Sequence, residues 1–188
     1  MKLRIVIPDS FDEVTVDQHQ RLTTAWENDS LTENEKLFEG VEILCGITMD
    51  VMVSIPEQDV RKIVTALKFL MDSPQSDDHP LQPSFTLEGV EYGFIPDWTN
   101  LLLREFVDLE ALAKKGIYEN LHLVMSIMYR PVTKRVKHLY AIEPYVADLM
   151  QAEKMKQAPM SVALGALSFF FHIGRTLAYA TLNSSTNR

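Results

Sequence analysis

Residues 104–145, REFVDLEALAKKGIYENLHLVMSIMYRPVTKRVKHLYAIEPY, decide the fold, and every other segment reads as packing against them. The stretch reads as two helices broken at Gly116, a proline stop, a basic turn and a strand. In the second helix Ile117, Leu121, Val124, Met125 and Met128 make one apolar stripe at the helical period. Pro131 has no N–H to donate and disfavours helix at the residue before it, so this helix should end by Tyr129 or Arg130. In the first helix Leu102, Phe106, Leu109 and Ala113 share a face, the one expected to be buried.

Outward from there, FTLEGVEYGF at residues 85–94 reads as a hairpin turning at Glu88 and Gly89. Residues 2–7 alternate, with Leu3, Ile5 and Ile7 on one side, as a half-buried edge strand closed by Pro8. A polar helix is expected over residues 15–28. Thr32 and Glu35 form a capping box before Leu37, Phe38, Val41 and Leu44, with Gly46 as the stop. Ser54 and Glu57 read as a second box ahead of Val60, Ile63, Val64, Leu67 and Leu70. The fold class expected is mainly α, an α+β domain of about six or seven helices with a small antiparallel sheet or hairpin. One domain spans residues 1–188; the proline-punctuated loop 72–83 is where an acidic helical part, 1–71, would divide from the hairpin and C-terminal helices, 84–188.

Residues 161–182 differ in kind. Val162, Leu164, Leu167, the run Phe169, Phe170, Phe171 and Leu177 leave almost no polar side, so the helix is central to a core or covered by another chain. His172 and Arg175 near its middle are costly in lipid, and no membrane association is expected. Gly165 and Gly174 would mark places where another backbone comes close.

The chain carries a net charge of −8, with 46% hydrophobic and 23% charged residues, the balance of a globular protein. The charge is uneven: residues 1–60 hold 13 acidic and 4 basic side chains, and residues 61–188 hold 13 acidic and 14 basic. The single cysteine, Cys45, sits on an apolar helical face and reads as a small hydrophobe. The N-terminus lacks the apolar core and cleavage site of a signal peptide, so the expectation is a protein that stays in the cytoplasm where it is made.

No catalytic constellation, phosphate-binding loop, dinucleotide fingerprint or nucleophile elbow is written in the chain, and the five histidines have no metal-ligand spacing. No enzyme activity, metal or cofactor is therefore expected. The feature that stands out is the basic run Arg130, Lys134, Arg135 and Lys137 with His138. Nucleic acid would be an obvious partner, but no stacking platform accompanies these charges and the net charge opposes it. The run reads as a turn that meets acidic side chains, within the chain's own first third or on a neighbouring subunit.

The hairpin at residues 85–94, WTNLLLREFVDLE at 98–110, NLHLVMSIMYRPV at 120–132, YAIEPY at 140–145 and MSVALGALSFFF at 160–171 together resemble a group of small tailed-bacteriophage proteins, tail assembly chaperones and other structural-module proteins. The likeness covers roughly the second half of the chain. It implies a non-enzymatic assembly protein whose partners are tape-measure, tube or neck proteins, or further copies of itself. The location implied is the host cytoplasm during assembly, or alternatively the virion. Arg130, Lys134, Arg135 and Lys137, with Phe169, Phe170 and Phe171, are the expected partner-binding residues.

Overall fold

Thr15 opens the first helix by accepting the Gln18 N–H at 3.1 Å while the Gln18 side chain accepts the Thr15 N–H at 2.9 Å, which satisfies two otherwise orphaned donors. This box starts α1 (Val16–Trp26). The computed structural model describes residues 5–72 and 79–185. The expected Thr32–Glu35 box forms and starts α2 (Glu33–Cys45), which ends on Gly46 at φ +66°, a conformation that carries no steric cost only for glycine. A one-turn helix α3 (Met49–Met52) follows, and then α4 (Glu57–Asp72). The second expected box does not form. The Pro56 carbonyl takes the first bonds of α4, from the N–H groups of Asp59 at 2.8 Å and Val60 at 3.2 Å. The Ser54 hydroxyl turns back to donate to the Asp50 carbonyl at 3.4 Å. Proline fits here because a cap position needs an acceptor rather than a donor.

Four strands, β1 (Ser84–Leu87), β2 (Val90–Phe94), β3 (Tyr129–Val136) and β4 (Leu139–Ile142), form an antiparallel sheet in sequence order. The first hairpin turns at Glu88 and Gly89 as expected, both at positive φ. Between the hairpins lie a 3-10 turn (Trp98–Asn100) capped by Asp97, α5 (Leu103–Lys115) and α6 (Leu121–Met128). After β4 come α7 (Leu149–Met155) and α8 (Met160–Ser185). Eight α-helices among the described residues exceed the expected number, because the short α3 and α7 carry too few turns to show a period.

Two expectations about strands change. The basic stretch after Pro131 is mostly strand β3, and its turn is only Lys137 and His138. A proline is tolerated inside β3 because it pairs with Tyr92 close to where the β2–β3 ladder ends. Ile5, Val6 and Ile7 belong to no strand of this sheet; residues 1–4 lie outside the described residues. Half of the loop at which a subdivision was expected, residues 73–78, lies outside them as well.

The core forms where α6 and the first half of α8 meet one face of the sheet. Met125, Met128, Met160 and Tyr129 are fully buried there together with Val41 and Leu67 from before the loop. Phe85, Tyr92, Phe94 and Tyr129 stack edge and face across that side of the sheet, with centroid separations from 5.1 to 5.6 Å. Burial raises the Tyr129 phenol, whose hydroxyl donates to the Gln82 carbonyl at 2.7 Å. Gly165 is a close approach, as expected: a Cβ there would lie 2.5 Å from the Pro80 carbonyl oxygen. The side chain positions around Gly174 fall outside the described residues.

Candidate interaction surface

Arg130 sits on the sheet face opposite the aromatic cluster and is only 8% exposed. A buried guanidinium needs a partner, and α5 supplies it: Glu105, 2% exposed, takes the Arg130 Nη1 at 2.7 Å. The other Glu105 oxygen accepts the Leu102 N–H at 2.7 Å, so one carboxylate both caps α5 and neutralises the strand. Among the described residues the Arg130 Nε meets no acceptor.

This pair fixes the rotation of α5 and turns it away from the expected one, with Leu109 common to both. Glu105 and Leu109 face inward, with Asp108 and Leu112 half-buried beside them. Leu102, Phe106 and Ala113, expected in the core with Leu109, are exposed instead. Leu103 and Val107 are exposed too, Leu103 at 79% and Phe106 at 52%. Polar contacts fasten the inner side further. The Tyr145 hydroxyl donates to Asp108 at 2.8 Å, and the Arg104 guanidinium lies over the Tyr145 ring at 5.6 Å from its centroid. Burial, and then the Asp108 hydrogen bond, push the Tyr145 phenol up to about 12. Asp108 thus holds the chain after β4 onto α5, beside a groove of about 280 Å³ that Ala111, Leu112 and Leu149 line.

The other expected partner-binding residues divide. Arg135 donates both from Nε, at 3.2 Å, and from Nη2 to the Glu91 carboxylate, and its Nη2 reaches the Ser84 hydroxyl at 3.0 Å. Its guanidinium covers Tyr140 at 5.0 Å, and this hydrogen bonding holds the Glu91 carboxyl below its ordinary value. A register shift between Val132 and Lys134 advances the alternation of β3 by one, so Arg135 shares the face of Arg130. Simple alternation would have put the two arginines on opposite faces. Lys134 and Lys137 are exposed, Lys137 at φ +56° in the turn. The three phenylalanines are half-buried. Phe169 meets Phe94 at 5.2 Å and Trp98 at 5.5 Å, Phe170 meets Trp98 at 6.3 Å, and Phe171 meets Phe170 at 5.9 Å.

A second apolar surface lies on α3 and α4. A groove of about 630 Å³ runs past Ile7, Val51, Ile55 and Ile63, and a smaller one of about 220 Å³ past Phe38, Met49, Val53 and Ile55. Ile55 borders both, which makes them one furrow. Neither this furrow nor α5 gave a sequence signal as a surface: Met49, Val51 and Val53 are too close together to show a period.

A polar cleft of about 550 Å³ lies between α1, α2 and α6. There the Gln20 amide donates to the carbonyls of Tyr118 at 3.1 Å and Glu119 at 2.7 Å, and lies 3.2 Å from the His122 Nδ1. Burial lowers the His122 imidazole, Lys156 adds to this, and Glu153 and Asp17 oppose it. Among the described residues no three His, Cys, Asp or Glu side chains gather as metal ligands, and no helix is long and apolar enough to cross a membrane. Comparison with known protein families, curated proteins and solved structures finds no match.

Proposed function

We propose that this chain is a non-enzymatic bacteriophage assembly protein that works by protein contact, as a tail assembly chaperone covering a tape-measure or tube protein before it is built in. The observation that carries the reading is the rotation of α5, which keeps a paired glutamate inside and turns Leu103, Phe106 and Val107 to solvent. Each Å² of such apolar surface gains about 25 cal/mol on leaving water, so the strip favours a covering partner. The resemblance of the second half to tail assembly chaperones supplies the class of partner. The experiment is co-expression with the tape-measure and tube proteins of the same phage. Co-purification with the unaltered chain and its loss with Phe106→Asp are expected; retention by both variants overturns the reading.

The second reading is a neck or connector-ring component that stays in the particle. The furrow around Ile55 favours it, because a ring subunit needs two different contact faces. Mass spectrometry of purified particles decides between them: absence of its peptides supports the chaperone, abundance supports the ring component.

A further inference from the structure

We infer that β4 is the seam of a symmetric dimer, in which a second copy lays its own β4 antiparallel along the open edge and Glu143 of each copy meets Lys137 of the other. The surface is separate from the α5 face. β4 closes one side of the sheet, and among the described residues no strand pairs with its outer side. The hydrogen bonds to β3 show which groups that side offers. The Glu143 N–H donates to the Pro131 carbonyl at 2.9 Å, and the Ala141 carbonyl accepts from the Thr133 hydroxyl at 3.3 Å, so both residues turn their backbone toward β3. Backbone groups alternate along an antiparallel strand, which turns those of Tyr140 and Ile142 outward.

Edge strands ordinarily carry a charge, a proline or a bulge that blocks addition of a further strand. Leu139–Ile142 has no charged residue and no proline, and the register shift lies in β3, the inner strand of the pair. Its side chains are uncovered as well. Leu139 is 78% and Val136 55% exposed, and with exposed Ala141 they share the face opposite Arg135 and Tyr140.

Charge names the occupant. Arg135 is already matched by Glu91, but Lys137 and Glu143 are exposed and among the described residues join no ion pair. An antiparallel partner strand must set outward groups against outward groups, and a two-fold axis through Ala141 joins all of them, Tyr140 of each copy with Ile142 of the other. That register places Glu143 opposite Leu139 of the other copy and diagonal to its Lys137, about 7–8 Å away and within reach of a long side chain. Parallel addition in register would instead set Lys137 beside Lys137 and Glu143 beside Glu143, which like charges disfavour. The edge is therefore complementary to itself, the condition for a contact that closes on a pair.

Sedimentation velocity of the full chain up to about 100 µM, where weak contacts are populated, should show a dimer that grows with concentration. Ala141→Lys, at an exposed position, should give a chain that is folded by circular dichroism and monomeric. Lys137→Glu and Glu143→Lys should each weaken the dimer about tenfold, and mixing the two variants should restore it, because the mixed pair regains both contacts. In a Cys45→Ala chain, Ala141→Cys should form an intermolecular disulfide on oxidation, since residues facing each other without hydrogen bonds lie about 4.5 Å apart at Cα. An unaltered chain that stays monomeric overturns the inference, as does a dimer that Ala141→Lys leaves intact or whose charge variants fail to complement. A monomer that loses a tape-measure or tube protein on Ala141→Lys also overturns it and assigns the edge to that protein. Phe106→Asp should leave the dimer unchanged, so loss of the seam and loss of the proposed function are read separately.

Discussion

Glu105 illustrates how one side chain sets the exposure of its neighbours. Removing its charge leaves Arg130 buried without a counter-charge, a loss of about 3–5 kcal/mol in comparable buried pairs. Glu105→Ala should therefore lower the denaturant midpoint sharply. Glu105→Leu combined with Arg130→Met should recover most of the loss, since an apolar pair of similar volume avoids desolvating two charges. His19 makes a pH-dependent prediction. Its imidazole is depressed below 6.5 by burial, and its Nδ1 meets no partner among the described residues. Above pH 6.5 the ring is neutral in both folded and unfolded states; below it the unfolded chain takes up the proton first, so stability falls as pH falls. Unfolding midpoints measured between neutral and mildly acidic pH should show this slope, and His19→Leu should flatten it. These residue-level features were not written in the sequence. Glu105 lies in a run that looks like ordinary solvated helix, and only the arrival of Arg130 from a distant strand explains why it turns inward.

At the scale of elements, local signals were reliable where the partners were local. The Thr32 box, the Gly46 stop, the Glu88–Gly89 turn and the end of α6 before Pro131 all involve groups within four residues of one another. The Thr15–Gln18 box is of the same kind, and Thr15→Ala should cost about 1 kcal/mol of stability. Ser54→Ala should cost far less, because Ser54 does not cap α4; equal losses from the two variants in chemical denaturation would contradict the observed start of that helix. Where a long-range contact decides the outcome, the same reading failed. The stripe Leu102, Phe106, Leu109 and Ala113 has the right period and the wrong orientation, since periodicity reports that a helix has faces and not which of them wins. Strand β3 was missed for a related reason: its charged residues look like a turn until Glu91, Ser84 and Tyr140 are placed beside Arg135. Gly165 is the converse case, visible as a small residue in a bulky run. Gly165→Val should destabilise strongly, because the Pro80 backbone has no flexible end to move aside, and thermal melting would measure it.

For the whole molecule, the sequence conveyed the class, a mainly helical chain with a small antiparallel sheet, together with the uneven spread of charge along it. Its surfaces were hidden, because exposure belongs to the finished packing. One feature of that packing bears on how the chain comes off the ribosome. Near the start of α1 the Val16 N–H bonds the Ala158 carbonyl at 3.0 Å, and the Asp17 N–H bonds that of Lys156 at 2.9 Å. From the other side, the Met160 N–H bonds the Val14 carbonyl at 2.7 Å. The first helix thus docks against the threshold of the last, so an early-made segment must wait for almost the final one. Until residues near 160 leave the exit tunnel, Val14 and Val16, both buried in the finished protein, have no seat. Translation time itself therefore schedules folding, and a nascent chain stalled short of Pro159 should leave its first helix open to proteases that the released protein resists.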